Sequence, residues 1–325
     1  EAISFENAFI DNATRSMVDP SLTVGTLEDF AVYGYVQNGA NSAVLFDGIR
    51  VYKNGSDWKY DATQYWIKDA IYNFNAVAPK TNGNWTKTAA DAASTTISFT
   101  NDGDTDLLYA KSTAITGQAS GSNDPVAFTF RHALSKVKFS FTNKYDATNS
   151  SIRIKNVMIR DAYATGTAVL DNSAQDGTLG LSFGNAAVGA VNAEEAIACN
   201  DTVESYNELF LIPGPGRDVT VTNADSTTTT YNDVYTITFT VELLMNDSLL
   251  ATYPHTVYTT FAPQAGKAYD LAAVIDHENI DPNTEQDPIV FTVTEIIDWD
   301  NDHDGKENTG NGTDDNGDNQ VDTEI

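Results

Sequence analysis

The sequence predicts an all-β fold built from antiparallel β-sandwiches. Apolar and polar residues alternate in several long runs, which is typical of strands that bury one face. The runs are rich in threonine, valine and tyrosine, residues that favour strands. Asn-Gly and Asp-Gly turns separate them, and such turns join neighbouring antiparallel strands. At 325 residues, the chain is long enough for about two domains.

Four runs carry the clearest alternation. In the first, Phe30 and Val32 share one face while Tyr33 lies on the other. In the second, we expect one face of the strand in a sandwich interior and the opposite face outward, because side chains alternate with a period of two. The inward residues are Val137, Phe139 and Phe141, and the outward ones are Lys136, Lys138 and Ser140. The runs are Glu28–Val36, Val126–Phe141, Tyr235–Met245 and Pro288–Trp299.

Turn residues punctuate the chain at the spacing of short strands, which favours sandwiches over a parallel α/β sheet. Two segments, Ala62–Phe74 and Ala193–Ala198, are weak helix candidates, although the tyrosine, tryptophan and isoleucine of the first also suit a strand. The turns are Gln37–Ser42, Lys53–Asp57, Thr81–Asn84, Asn101–Asp106 and Pro213–Gly216.

A domain boundary is expected just after the strand that ends at Phe141. The segment Thr142–Ser151 is polar and rich in turn residues, and a new alternating run, Ile152–Ala162, follows it. From Asp298 to Ile325 the chain holds ten acidic residues and one lysine, so this segment cannot bury enough apolar surface to fold alone. The predicted division is residues 1–145, residues 146–299 and an acidic C-terminal extension, residues 300–325.

Composition excludes several classes of function. The formal net charge is −28, which repels nucleic acids and anionic lipid surfaces. One cysteine allows no disulfide framework, and four scattered histidines suggest no catalytic triad. His132, for example, is expected to be a structural side chain. No apolar run is long enough for a transmembrane helix. We therefore expect neither an enzyme nor a cofactor.

An ordered set of segments resembles the fimbrillin family, the FimA/Mfa-type pilins and pilin-like lipoproteins of Bacteroidales. The pieces F-x-F-x-H-A-L-S-K-V, within Val126–Phe141, and I-x-D-W, at the end of Phe291–Asp300, are its most specific parts. No single piece is a strong motif, so the order of the set along most of the chain carries the resemblance. The other pieces are Ile3–Phe5, Thr14–Ser16, Leu27–Tyr35, Tyr72–Pro79, Asp106–Ser112 and Gly266–Leu271.

The resemblance implies properties that composition does not. It implies two transthyretin-like β-sandwich domains and export as a lipid-anchored precursor whose lipidated cysteine precedes Glu1. It implies removal of an N-terminal strand by an Arg- or Lys-specific protease. It also implies polymerisation by strand exchange, in which a segment of one subunit fills the groove vacated in the next. The implied location is the cell surface, as part of a fimbrium or at the outer membrane.

Arg15 is the candidate processing site. It follows the alternating segment Ala2–Ile10 and lies within Asp11–Met17. One interpretation is a cleavage that releases the first strand, and the other is an ordinary loop arginine. A further alternative is that the trimming took place upstream of Glu1.

Asp300, Asp302 and Asp304, followed by Gly305, form D-x-D-x-D-G, the opening half of a calcium loop. Oxygen ligands at alternate positions suit Ca²⁺, and glycine at the sixth position permits a sharp turn. Position twelve is Asn311, where an EF-hand needs a bidentate glutamate. Two interpretations remain open, a weak extracellular-type calcium loop and a solvated acidic tail.

Two functions are compatible with the sequence. The first is a structural or accessory fimbrial subunit that supports adhesion, with other copies of itself or related pilin subunits as partners. The second is a monomeric surface lipoprotein that binds a glycan or a host protein. For the second, four aromatic side chains could stack on sugars or lie in the core: Trp58, Tyr60, Tyr65 and Trp66.

Overall fold

The structure is a computed structural model. It describes residues 1–10, 27–90, 94–112, 114–171, 181–183, 188–192, 198–199, 203–205, 209–284 and 288–296. All regular elements in these ranges are β-strands, which confirms the all-β fold class. The helix candidate Ala62–Phe74 is wrong, because a strand begins at Ile71 and the residues before it form turns and bridges. Most of the other helix candidate lies outside the described residues. No described helix has the length and apolarity that a membrane crossing requires.

The strands are numbered along the chain. The first twelve are β1 Phe5–Ile10, β2 Asp29–Asn38, β3 Asn41–Asn54, β4 Asp57–Tyr60, β5 Ile71–Ala78, β6 Trp85–Ala90, β7 Ser94–Thr100, β8 Leu108–Lys111, β9 Ile115–Thr116, β10 Val126–His132, β11 Ser135–Asn143 and β12 Ser150–Tyr163. The others are β13 Thr165–Asp171, β14 Leu181–Phe183, β15 Val188–Asn192, β16 Ala198–Cys199, β17 Val203–Ser205, β18 Leu209–Leu211, β19 Arg217–Thr222, β20 Thr228–Met245, β21 Ser248–Thr260, β22 Ala268–Ile275 and β23 Thr292–Ile296.

These strands form four sheets. Sheet A has the order β1-β10-β8-β5-β2-β3-β4, with β9 beside β5. Sheet B has the order β14-β13-β7-β6. Sheet C has the order β17-β11-β22-β23, with β18 beside β11. Sheet D has the order β15-β12-β20-β19, with β16 beside β12 and β21 beside β20.

Three hydrophobic cores hold the sheets together. The first core lies on one face of sheet A and contains Phe5 of β1 together with Phe30 and Phe128. The second core lies between the other face of sheet A and sheet B, and it contains Tyr33 and Phe99. The third core lies between sheets C and D and is the largest of the three. Burying so much apolar surface is the main favourable term in folding.

Two strand pairs depart from the expected antiparallel arrangement. β1 runs parallel to β10, and β11 runs parallel to β22. The other pairs between described strands are antiparallel. Alternation within a strand reveals which face is buried, but it carries no information on the direction of a distant partner.

The predicted domain boundary at residue 145 does not separate the strands of one pair of sheets from those of the other. β11 lies before this position but joins sheet C, where it pairs with β22. β13 lies after it but joins sheet B, where it pairs with β7. The polar segment Thr142–Ser151 connects β11 to β12, and both strands contribute to the third core. The division of the chain into domains stays a prediction, since position 145 falls between two strands that share a core.

The prediction for β11 is confirmed for the inward face and wrong for part of the outward face. Val137, Phe139 and Phe141 are buried in the third core, as expected. The opposite face was expected outward, yet Lys136 is only 6% exposed and Ser140 only 2%. The hydroxyl of Ser140 donates a hydrogen bond of 2.7 Å to the carboxylate of Asp270 on β22. β11 has neighbouring strands along both edges, and Lys138, the third residue expected outward, is half-buried.

Candidate functional site: the first strand and its groove

The first strand fills a groove at the edge of sheet A. β1 pairs along one side with β10, with Phe5 opposite Val126 and Ile10 opposite Phe130. Residues 1–4 extend this strand, because the N–H of Val126 donates to the carbonyl of Ser4 at 2.8 Å. The segment was expected to be an amphipathic strand, and β1 confirms the strand.

The segment 60–66 forms hydrogen bonds with the first three residues on the side away from β10. The N–H of Ile3 donates to the carbonyl of Gln64 at 2.9 Å, and the N–H of Trp66 donates to the carbonyl of Glu1 at 3.0 Å. The hydroxyl of Tyr60 donates to the carbonyl of Ile3 at 2.7 Å. The first residues therefore lie between β10 and the segment 60–66, with backbone hydrogen bonds on both sides.

Phe5 lies at the centre of an aromatic pocket. Its side chain is 4% exposed. Its ring stacks on Phe128, with centroids 6.0 Å apart, and meets four further rings edge-on. Edge-to-face and offset-stacked pairs contribute about 0.5–1.5 kcal/mol each beyond the area they bury. The four rings and their centroid distances are Phe30 at 6.4 Å, Phe46 at 5.7 Å, Tyr60 at 5.5 Å and Phe74 at 6.2 Å.

Gly34 of β2 makes room for this pocket. A Cβ atom at this position would lie 2.6 Å from Cδ2 of Phe46 and 3.0 Å from Cδ1 of Phe74. Real Cβ contacts are longer, so any side chain here would displace two of the rings that surround Phe5. A glycine in this strand thus serves the close approach of aromatic rings.

Glu1 closes the outer end of the groove through a carboxylate clasp formed with Gly121 and Asn123. Its Oε2 atom accepts hydrogen bonds from the Gly121 N–H at 2.7 Å, the Asn123 side-chain amide at 2.9 Å and the Asn123 N–H at 3.3 Å. These bonds hold the pKa of the Glu1 carboxyl below its usual range, and the bond from the Asn123 side-chain amide has the largest effect. The clasp ties the first residue to the loop that precedes β10.

The residues singled out from sequence fall in different places. Arg15 and the candidate calcium ligands Asp300, Asp302 and Asp304 lie outside the described residues. Among the residues that the structure does describe, no group of three or more His, Cys, Asp or Glu side chains could hold a metal ion.

The aromatic residues considered as a sugar platform are mostly part of the first core. Trp66 is buried, and Trp58 and Tyr60 pack against the core. Tyr65 alone of the four is largely exposed, at 61%. They do not form an exposed aromatic surface, so their positions give no support to stacking on a glycan.

The described histidines have structural contacts. His132 Nδ1 lies 2.5 Å from Asp106 Oδ2, and both side chains are largely buried. His255 Nε2 lies 2.9 Å from the carbonyl oxygen of Ile280, and His277 packs on Tyr145. Burial holds the pKa of His255 below its usual range. The structural role expected for His132 agrees with this environment.

Sequence reasoning found the amphipathic first segment but missed the importance of two of its residues. The alternation of Ile3 and Phe5 signals one buried face, yet the five surrounding rings come from five different strands. The hydrogen bonds of Glu1 were not predictable from the local sequence, because its partners Gly121 and Asn123 belong to a loop far along the chain.

Comparison with known proteins gives a family and a fold. The family profile described as fimbrillin-like matches residues 14–299. A candidate cell adhesion protein from Bacteroides ovatus has a similar solved structure, with a TM-score of 0.50 and 16% identity, over 92% of this chain and 96% of that chain. The fimbrial anchor protein Mfa2 from Porphyromonas gingivalis matches with a TM-score of 0.38 and 13% identity, over 90% of this chain and 96% of that chain. No curated protein sequence matches the chain.

Proposed function

Because this chain belongs to the fimbrillin-like family, we propose that it is a structural or accessory subunit of a cell-surface fimbria that supports adhesion. In this proposal the subunit acts after export and N-terminal processing, at the cell surface, as part of a fimbrium or at the outer membrane. Its partners are other copies of itself or related pilin subunits. It has no enzymatic activity and needs no cofactor for assembly, apart from a calcium ion that could bind the acidic segment 300–325.

The observation that carries the proposal is the placement of the first strand. β1 is an edge strand, so it can leave sheet A without breaking any pair between the other strands. Its removal would expose the unpaired edge of β10 and open the pocket around Phe5. An exposed edge beside an apolar groove is a template for an added strand. The groove thus suits assembly in which a segment of another subunit replaces the first strand.

Processing at Arg15 would start this exchange. Arg15 follows β1 in the sequence, so cleavage after it would separate residues 1–15 from the rest of the chain. The cleaved segment is then held in the groove only by non-covalent contacts, so a competing strand can displace it. The alternative of a monomeric glycan-binding lipoprotein has no comparable support, because the aromatic residues considered for it lie mostly in the core.

The test is cleavage of the purified protein with an Arg-specific protease, followed by electrophoresis in SDS without boiling. We expect the treated protein to give a ladder of oligomers, whereas the Arg15→Ala variant stays a single band. Arg160→Ala is the matched control, since it removes an exposed arginine elsewhere in the chain. A ladder from Arg15→Ala equal to that of the parent would contradict processing at this residue. A single band from the fully cleaved parent would contradict strand exchange.

A further inference from the structure

A polar cleft lies where β12 begins and β20 ends, outside the groove of the first strand. The loop that connects β11 to β12 and the turn Asn246–Asp247, which connects β20 to β21, both line it. Its volume is about 780 Å³, within the range of about 300–1,000 Å³ that small-molecule sites occupy. Most such sites are lined by apolar side chains, whereas Ala147 is the one aliphatic residue among those that line this cleft. The cleft therefore has the size of a ligand site and suits a polar ligand.

Several polar side chains of the cleft have no partner within the described part of the protein. Four of them are exposed and form no hydrogen bond or ion pair with another described residue: Asp146, Asn149, Asn246 and Asp247. A side-chain amide both donates and accepts hydrogen bonds, and a carboxylate accepts them. The cleft thus presents donors and acceptors side by side, which is what a ligand with several hydroxyl groups requires.

The backbone around the cleft holds these side chains in place. The N–H of Asn246 donates to the carbonyl of Asn149 at 2.9 Å, which joins the turn to the loop. The N–H of Ser150 donates to the carbonyl of Ala147 at 3.0 Å, and the N–H of Lys144 donates to a carbonyl of β22 at 2.7 Å. A ligand would therefore meet a backbone that is already ordered, which lowers the entropic cost of binding.

An aromatic ring lies beside the polar groups. Tyr145 lines the cleft and packs against the third core. The ring of His277 stacks on it with centroids 4.0 Å apart, and His277 Nε2 donates to the carbonyl of Asp146 at 3.0 Å. The position of the tyrosine ring is thus fixed from two sides. An apolar ring next to hydrogen-bonding groups matches a sugar, which carries C–H groups as well as hydroxyls.

Charge narrows the class of ligand further. Two carboxylates, of Asp146 and Asp247, and one ammonium group, of Lys144, line the cleft, and the net charge of the whole chain is −28. Phosphates, sialic acids and uronic acids are therefore repelled. Among the described residues, no group of three or more His, Cys, Asp or Glu side chains could hold a metal ion, so the cleft does not have the ligand set of a metal site.

We infer that this cleft binds a neutral saccharide. The inference rests on the proposed function in adhesion, to which it adds a class of ligand and a site. The site differs from the four aromatic residues of the first core that the sequence suggested. Because the cleft is formed by strands of sheets C and D, and the groove of the first strand lies in sheet A, saccharide binding does not require strand exchange.

The experiment uses the full, uncleaved chain with an affinity tag at its C-terminus. The protein is applied to an array of immobilised oligosaccharides of glucose, galactose, mannose and N-acetylglucosamine, together with sialylated and uronic acid oligosaccharides. Each saccharide that retains the protein is then titrated in solution by isothermal titration calorimetry. Calcium chloride alone is titrated in parallel. We expect retention by at least one neutral saccharide and by none of the acidic ones.

Glycine substitutions remove the side chains of the cleft without straining the backbone. Asn149 and Asp247 both have φ of 61°, a left-handed conformation that glycine adopts readily. Asp247→Gly should weaken saccharide binding at least about tenfold, and Asn149→Gly about threefold to tenfold, because each loses hydrogen bonds to hydroxyl groups. Asp69→Gly is the matched control, since it removes an exposed aspartate with φ of 65° that does not line the cleft, and it should leave binding unchanged.

The outcomes separate this inference from the proposed function. If no neutral saccharide binds, or if Asp247→Gly and Asn149→Gly bind as well as Asp69→Gly, the inference is overturned, while the ladder of oligomers still tests strand exchange. Acidic saccharides that bind as tightly as neutral ones would overturn the assigned ligand class. Calcium binding that Asp247→Gly abolishes, without binding of any saccharide, would assign the cleft to a cation and would also overturn the inference.

Discussion

Phe5 stacks on Phe128 with ring centroids 6.0 Å apart and ring planes 14° from parallel. This contact joins the first strand to its neighbour β10 within the core, in addition to the backbone pairing along the edge. The first strand can leave without breaking any pair between the other strands. Its removal nevertheless costs free energy, because it empties the pocket around Phe5. Under the proposed function, this segment stays in place until processing and leaves afterwards.

Phe5→Ala should lower the free energy of unfolding by about 3–5 kcal/mol, because it empties a buried aromatic pocket. Tyr65→Ala is the matched control, since it removes an exposed aromatic residue close to the same segment, and its effect should stay within about 0.5 kcal/mol. Urea unfolding followed by tryptophan fluorescence measures both. Equal effects of the two substitutions would show that the first strand contributes little to the core.

Phe139→Ala should also cost about 3–5 kcal/mol, because Phe139 is fully buried in the third core. Leu250→Ala, at an exposed position of β21, serves as the control. The same urea titration applies. A loss well under about 1 kcal/mol would contradict the inward orientation of the Val137, Phe139 and Phe141 face.

Asp29→Asn should destabilise the protein near neutral pH by about 1–3 kcal/mol, because Asp29 accepts several hydrogen bonds as a carboxylate. Burial opposes its ionisation, but hydrogen bonds from Thr81, Arg50 and Lys80 outweigh burial and hold the pKa of Asp29 below its usual range. A depressed folded-state pKa contributes stability above the unfolded pKa, which is about 3.9 for aspartate. This stability is lost as the pH falls through the lower folded-state pKa.

The difference in unfolding free energy between the parent and Asp29→Asn should therefore shrink as the pH falls from about 4 towards 2. Urea unfolding at a series of pH values measures it. A difference that stays constant over the whole range would show that the charge of Asp29 contributes nothing beyond the shape of its side chain.

Calcium binding by Asp300, Asp302 and Asp304 is open to a direct test. If the loop binds calcium and orders an exchanged segment, then Asp302→Ala or a chelator should lower the thermal stability of the polymers, because a ligand that binds only the assembled form stabilises it. Asp322→Ala, another acidic residue in the same segment, is the matched control. If the segment is only a solvated extension, deletion of residues 301–325 should leave assembly unchanged.

One result would contradict the calcium loop. If the deletion abolishes polymers while chelation and Asp302→Ala have no effect, the acidic segment itself acts as the exchanged strand without calcium.

The alternation of apolar and polar residues predicted which segments form strands and which of their faces are buried. The alternation of Phe30 and Tyr33 correctly assigned two faces of β2, and that of Phe139 correctly assigned one face of β11. The sequence failed where a distant strand decides the environment. Lys136 and Ser140 look solvent-facing along the chain, but both are buried. The parallel directions of β10 relative to β1 and of β22 relative to β11 are equally hidden from local periodicity.

The candidate site was predictable to the same extent. The alternation of Ile3 and Phe5 identified an amphipathic first strand, whereas its five aromatic neighbours and the contacts of Glu1 depend on tertiary packing. Arg15 was selected by its position after that strand and by family resemblance, and its role stays a prediction.

The parallel pairing of β11 with β22 has a consequence for the order of events during synthesis. β11 spans Ser135–Asn143 and its partner spans Ala268–Ile275, so the ribosome must make most of the chain before this pair can form. Closing so large a loop is slow, because its entropic cost precedes the gain from the contacts. Until then the edge of β11 that pairs with β22 stays open, and an open strand edge can pair with other chains. Sheet C therefore cannot form in full until residues 268–275 have been made.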